Sequence, residues 1–164
     1  MPEGNGKIDG LRQGRPAALD DMKVIVVSGA RSHVGKTHLA RALCKLLPGA
    51  VRIKIGHQEH KNKEGEDDYL YPMGTPFPRI AADHADAAFL VIESNSVLEE
   101  ITPDCAIYLP ADDAKPSAAI ARRKADIIRG EGVPASEVAL LAGRLGCDAS
   151  VVEKIVKLSG ASVG

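Results

Sequence analysis

The chain has 164 residues, 45% hydrophobic and 26% charged, with a formal net charge of −1 and a pI near 6.5. That length suits one compact core and is short for two. The balanced charge supplies no basic face for a general nucleic-acid or membrane-surface role, and no stretch approaches the roughly 18 consecutive apolar residues of a membrane span.

Residues 1–20, rich in Gly, Pro and charge and without the apolar centre of a signal peptide, read as a flexible leader. Lys23-Val24-Ile25-Val26-Val27 then forms an apolar, β-branched run, the pattern of a mid-sheet parallel strand covered on both faces. The stretch Val24–Thr37, V-I-V-V-S-G-A-R-S-H-V-G-K-T, continues into Gly35-Lys36-Thr37 and a helix with a 3.6-residue apolar period over residues 38–47, which Pro48-Gly49 stops. A strand, a loop that turns its N–H groups toward an anion, and a helix N-terminus together make a triphosphate cradle. Gly35 allows close backbone approach, Lys36 supplies a point charge for the β/γ-phosphates and Thr37 offers a hydroxyl to Mg²⁺. The pattern G-x-x-x-x-G-K-[ST] departs at its first glycine, where Ala30 stands and Gly29 comes one residue early. The nucleotide-binding set read from this segment is Ser32, His33, Val34, Gly35, Lys36, Thr37 and His38. Arg31 and His33 either line the phosphates or face solvent.

Residues 50–55 alternate as a second strand, and residues 56–78 form a polar stretch without a clear period, a length that in a compact domain signals function or disorder. Residues 86–93 read as a buried strand ending in Glu93, and residues 105–109 as a shorter one followed by Pro110-Ala111-Asp112-Asp113. Residues 118–124 read as a helix and 125–129 as a closing strand. Strands alternating with helices at this spacing imply a mostly parallel sheet with ligands at the carboxyl ends, where Lys36, Glu93 and Asp112 all fall. The expected fold is therefore α/β, a three-layer P-loop NTPase domain over residues 21–132. A small helical appendage over 133–164 is expected after it, as a hairpin of helices 136–145 and 150–158, the second opened by a Ser150-x-x-Glu153 capping box. Cys44, Cys105 and Cys147, odd in number and far apart, read as free thiols of a reducing cytosol, which makes the expected location cytoplasmic.

An acid ending a strand beside the cradle strand is the usual support for Mg²⁺, and Glu93 fits that place. Lys54-x-x-His57-x-x-His60, followed by Gly65-Glu66-Asp67-Asp68, is a rarer pattern. With the P-loop it resembles the molybdopterin-guanine dinucleotide biosynthesis protein B (MobB) family, over about Met22 to Asn95. Lys54, His57, Gly65 and Asp67 stand at the matching places of that family's lysine-histidine loop and G-K-D-S segment. Ser94-Asn95 replaces the family's Gly and aromatic residue, Asp68 its serine and His38 a frequent second threonine, as in a paralogue. The resemblance implies GTP binding with Mg²⁺, and a molybdenum-cofactor biosynthesis enzyme as partner. The expected metal set is Thr37, Asp67 and Glu93, and the expected catalytic set Lys36, Asp67 and Glu93. His57 and His60 contact substrate or phosphate, bind a transition metal, or have no role.

No N-K-x-D guanine-reading loop is present. Asp112 and Lys115, in Asp112-Asp113-Ala114-Lys115-Pro116-Ser117, are candidate base readers, although the segment equally suits a turn and helix start with Asp113 as cap. ATP remains open as the nucleotide. Three functions are compatible with these residues: a slow GTPase accessory protein, a small-molecule kinase with a lid built from Arg122, Arg123 and Lys124, and a non-enzymatic regulator whose C-terminal helices read superficially as a helix-turn-helix. In that last segment Lys154 and Lys157 are few charges for phosphate contacts, and Val151, Val152, Ile155 and Val156 suit packing or homodimerisation better.

Overall fold

Three apolar runs become the middle of a sheet. In the computed structural model they are β1 (Lys23–Gly29), β4 (Phe89–Glu93) and β5 (Cys105–Leu109). The structure describes residues 21–31, 33–56, 68–112 and 116–164. The leader 1–20 and Ser32, His57, His60, Gly65, Asp67, Asp113 and Lys115 lie outside the described residues. β1 is paired on both sides in parallel, Lys23 opposite Phe89 and Ile25 opposite Cys105. With β2 (Ala50–Gly56), β3 (Asp68–Pro72) and β6 (Ile127–Ile128), the six-stranded order is β3-β2-β4-β1-β5-β6, parallel at every pairing.

Successive residues of β1 point to opposite faces, which is why an unbroken apolar run is needed. Val24 and Val26 join a core with α2 (Phe77–Asp83), the 3₁₀ turn Ser96–Glu99 and α3 (Ala118–Lys124). Ile25 and Val27 join a second core under α1 (Lys36–Leu46), α4 (Ala135–Leu145) and α5 (Ala149–Leu158). The result is a three-layer α/β fold. The chain leaves β1 toward one face and leaves β4 and β5 toward the other, opening a crevice at the carboxyl ends of these strands.

α4 and α5 turn at Gly146, whose φ of 67° suits the left-handed cap, and bury Val138, Leu141, Leu145, Val152, Ile155 and Val156 against the sheet. Val152, Ile155 and Val156 of α5 are thus packed within the chain, while Leu158 is 43% exposed. A two-residue parallel pair, β7 (Gly132–Val133) with β8 (Ser162–Val163), ties down the C-terminal segment.

Several expected boundaries move. The strand read over 86–93 begins at Phe89, because the Ala87 N–H donates to the His84 carbonyl in a turn and the Ala88 N–H to the Gly49 carbonyl just before β2. The closing strand read over 125–129 shortens to β6, since the Ala125 N–H still donates to Arg122 at the end of α3. The polar stretch 56–78 contains β3 and the first two residues of α2. The capping box is absent: Asp148 is the N-cap of α5, without a side-chain cap, and Ser150 lies inside the helix.

Candidate functional site

The cradle forms where β1 ends. Ala30, at the position of the pattern's first glycine, is fully buried and donates its N–H to the Leu109 carbonyl at 2.9 Å, extending the β1–β5 ladder. Among the described residues it has no positive φ, so alanine fits there without strain. Gly29 provides the close approach instead: a Cβ there would lie 2.6 Å from Val34 Cγ2 and 3.4 Å from Lys36 Cδ. Beyond it, His33 (φ 63°) and Gly35 (φ 103°) take left-handed conformations on either side of Val34. Alternation of this kind turns consecutive N–H groups into one concavity, the backbone nest that suits phosphate.

α1 begins at once, with Gly35 as N-cap, no side-chain cap and no acid in its first turn. Its Leu39, Ala40 and Leu43 are buried, which fixes its N-terminal end beside the loop. Lys36 Nζ reaches back across the loop to within 3.3 Å of the Arg31 carbonyl. Thr37 Oγ1 donates to Glu93 Oε1 at 2.8 Å. A hydroxyl has one proton and two lone pairs, so donation to Glu93 leaves both lone pairs of Thr37 for a cation. The fold is that of a P-loop NTPase.

The acid of this site is held from below. Glu93 Oε2 pairs with Arg52 Nη1 from β2, and the two side chains are only 1% and 7% exposed. The parallel register places Arg52 beside Val91 and Lys54 beside Glu93. Asn95, two residues further on, accepts the Gly29 N–H at 3.0 Å and donates to the Gly29 carbonyl at 2.9 Å, fastening the start of the cradle to the end of β4. Arg129, just past β6, donates Nη1 to the Val34 carbonyl at 2.9 Å.

Lys36, Thr37 and Glu93 are therefore brought together, with Gly35 and Val34 completing the loop, while His33 and His38 stand exposed at its rim. Asp112 lies exposed beyond the end of β5. Among the described residues no three His, Cys, Asp or Glu side chains form a metal cluster. A hydroxyl backed by one acid suits Mg²⁺, which keeps several waters and takes phosphate oxygens as ligands. Cys44, Cys105 and Cys147 are free thiols, and burial pushes those of Cys105 and Cys147 up, away from a reactive thiolate. No described helix is long and apolar enough to cross a membrane.

Arg52, Asn95 and Arg129 were not singled out in the sequence. For Arg52 a signal existed: it shares its strand face with Lys54 in an otherwise apolar segment, which calls for a buried acid as partner.

No family model matches the chain and no curated protein matches it. Among solved structures it is similar to the hydrogenase maturation factor HypB from Archaeoglobus fulgidus, at 17% identity and a TM-score of 0.46, over 89% of this chain and 82% of that one. The P-loop assignment stands on the strand order and the loop.

Proposed function

We propose that the protein is an Mg²⁺-dependent GTP-binding P-loop protein that hydrolyses GTP slowly and serves as an accessory factor in cofactor biosynthesis, in the manner of MobB. One observation carries the nucleotide reading: Thr37 donates its proton to Glu93 at the mouth of a loop with left-handed residues at His33 and Gly35. Lys36 and the loop N–H groups would hold the β/γ-phosphates. Thr37 would hold Mg²⁺, whose charge would neutralise phosphate during transfer to water. Glu93 orients Thr37 and would help to hold that ion. Its two oxygens are already engaged by Arg52 and Thr37, so it is a poor general base, which favours slow turnover. Asp67 is a second candidate acid on the MobB resemblance. GTP, the base readers Asp112 and Lys115 and a molybdenum-cofactor enzyme as partner rest on that resemblance and on the position of the loop after β5.

The kinase reading has less support. Arg122 pairs with Glu131 at 3.1 Å and lies over the Tyr108 ring, and Lys124 donates to the Leu98 carbonyl, so both cations are engaged in the framework.

Calorimetric titration with non-hydrolysable GTP and ATP analogues, with and without Mg²⁺, tests the proposal. Mg²⁺-dependent binding of the GTP analogue, lost in Lys36→Ala, is expected. Equal binding by wild type and Lys36→Ala would refute the cradle, and a preference for ATP would favour the kinase.

A further inference from the structure

Arg129 occupies a position that the nucleotide reading has not used. It follows β6, its own N–H donates to the Tyr108 carbonyl at 3.1 Å, and its side chain runs between two distant parts of the chain. Nη1 donates to the Val34 carbonyl in the cradle at 2.9 Å, and Nε donates to the Ser159 carbonyl at the end of α5 at 3.1 Å. Its guanidinium also lies against the cradle glycine, with Nη2 3.6 Å from where a Gly35 Cβ would be. Its stem fills the space beside Gly160, where a Cβ would come within 2.9 Å of Arg129 Cγ. Among the described residues Arg129 makes no ion pair with a carboxylate, so none of them balances its charge beside the cradle.

A loop binds phosphate through its N–H groups only while its carbonyls point away, and a charged donor on one of those carbonyls enforces that orientation. We propose that Arg129 is a positioning residue that holds the Val34 carbonyl outward and couples nucleotide affinity to docking of the C-terminal segment. This coupling rests on the nucleotide reading above. It works in both directions: bound triphosphate steadies the loop, the loop steadies Arg129, and Arg129 steadies the turn Ser159–Gly160. That turn is itself laced to the strand region by Gly130 N–H to Gly160 O, Ser162 N–H to Glu131 O and Gly164 N–H to Val133 O. Linkage then requires that whatever loosens the segment also weakens binding.

The test is made on the full chain, with a non-hydrolysable GTP or ATP analogue and Mg²⁺, whichever binds wild type. Arg129→Met is expected to raise Kd about tenfold or more, the effect of losing a charged hydrogen bond to the loop, and Arg129→Lys to recover part of it. Hydrogen exchange of the Gly130, Ser162 and Gly164 amides in wild type is expected to slow when the analogue is added. Ligand binding slows every amide that opens by global unfolding, so the coupling is read from slowing at these three amides in excess of that at the core amides of β1. Arg129→Met is expected to abolish that excess. Binding by Arg129→Met within twofold of wild type, or no such excess in wild type, overturns the coupling while leaving the nucleotide reading intact. Failure of wild type to bind either analogue overturns both. The exchange measurement on wild type decides the coupling even where Arg129→Met is too unstable to titrate.

Discussion

Replacing Arg52 by methionine keeps the bulk of the side chain but removes the cation beneath Glu93. The carboxylate, 1% exposed, would be left with the Thr37 hydroxyl as its remaining donor from this pairing. Breaking a buried ion pair from one side costs about 3–5 kcal/mol, because the stranded charge has lost its solvent and its partner together. Against a total stability of about 5–15 kcal/mol for a domain, that is a large share. With a urea m-value of about 2 kcal/mol/M, the unfolding midpoint should fall by about 2 M. Arg52→Met combined with Glu93→Gln removes the stranded charge and should recover most of the loss, so a double-mutant cycle in urea separates charge from packing. A single variant within about 1 kcal/mol of wild type, or a double variant no more stable than the single, would refute the view that Arg52 compensates Glu93.

Asn95→Asp keeps the acceptor for the Gly29 N–H but sets a carboxylate oxygen against the Gly29 carbonyl; a loss of about 1–3 kcal/mol in chemical denaturation is expected. His33→Gly relieves a left-handed conformation in an exposed side chain and should stabilise the ligand-free protein by about 1 kcal/mol, whereas a β-branched residue there should destabilise it. Tyr71 gives a pH prediction. Burial, then the hydrogen bond and charge of Asp83, pushes its phenol up to about 12, with His84 and Tyr69 also facing it and Arg79 opposing the shift. Between pH 10 and about 12 the unfolded chain gives up a proton that the folded chain keeps, so stability falls as pH rises through that window. Tyr71→Phe should remove this part of the alkaline decline, and identical slopes for the two proteins would rule the effect out.

The legible parts of the fold were those with a local cause. β1, β4 and β5 are covered on both faces, so their apolar runs are continuous, and α3 coincides with its reading over 118–124. The loop pattern around Gly35, Lys36 and Thr37 is also local, since eight consecutive residues and a helix start define it. β3 was missed because it lies at the sheet edge, where Tyr69 is left exposed and little apolar pattern is required. α2 was missed because seven residues opening Phe77-Pro78 give barely two turns of period. The side chains that brace the site were unreadable for a different reason. Arg52 meets Glu93 across 41 positions, Asn95 meets Gly29 across 66 and Arg129 meets Val34 across 95, pairings that only the folded topology creates.

The strand order has a consequence for how the protein is made. β1 is made before both of its neighbours, β4 and β5, and the Val24 N–H finds its acceptor, Asp104, 80 residues later. Closing so long a loop costs chain entropy that only the late strands can offset. Until Leu109 has left the ribosome, one edge of this valine- and isoleucine-rich strand lacks its partner, the kind of surface that chaperones hold and that aggregates when they do not. Translation-arrested chains ending before β5 should therefore be sensitive to protease throughout, and triphosphate protection should appear abruptly once that strand is available.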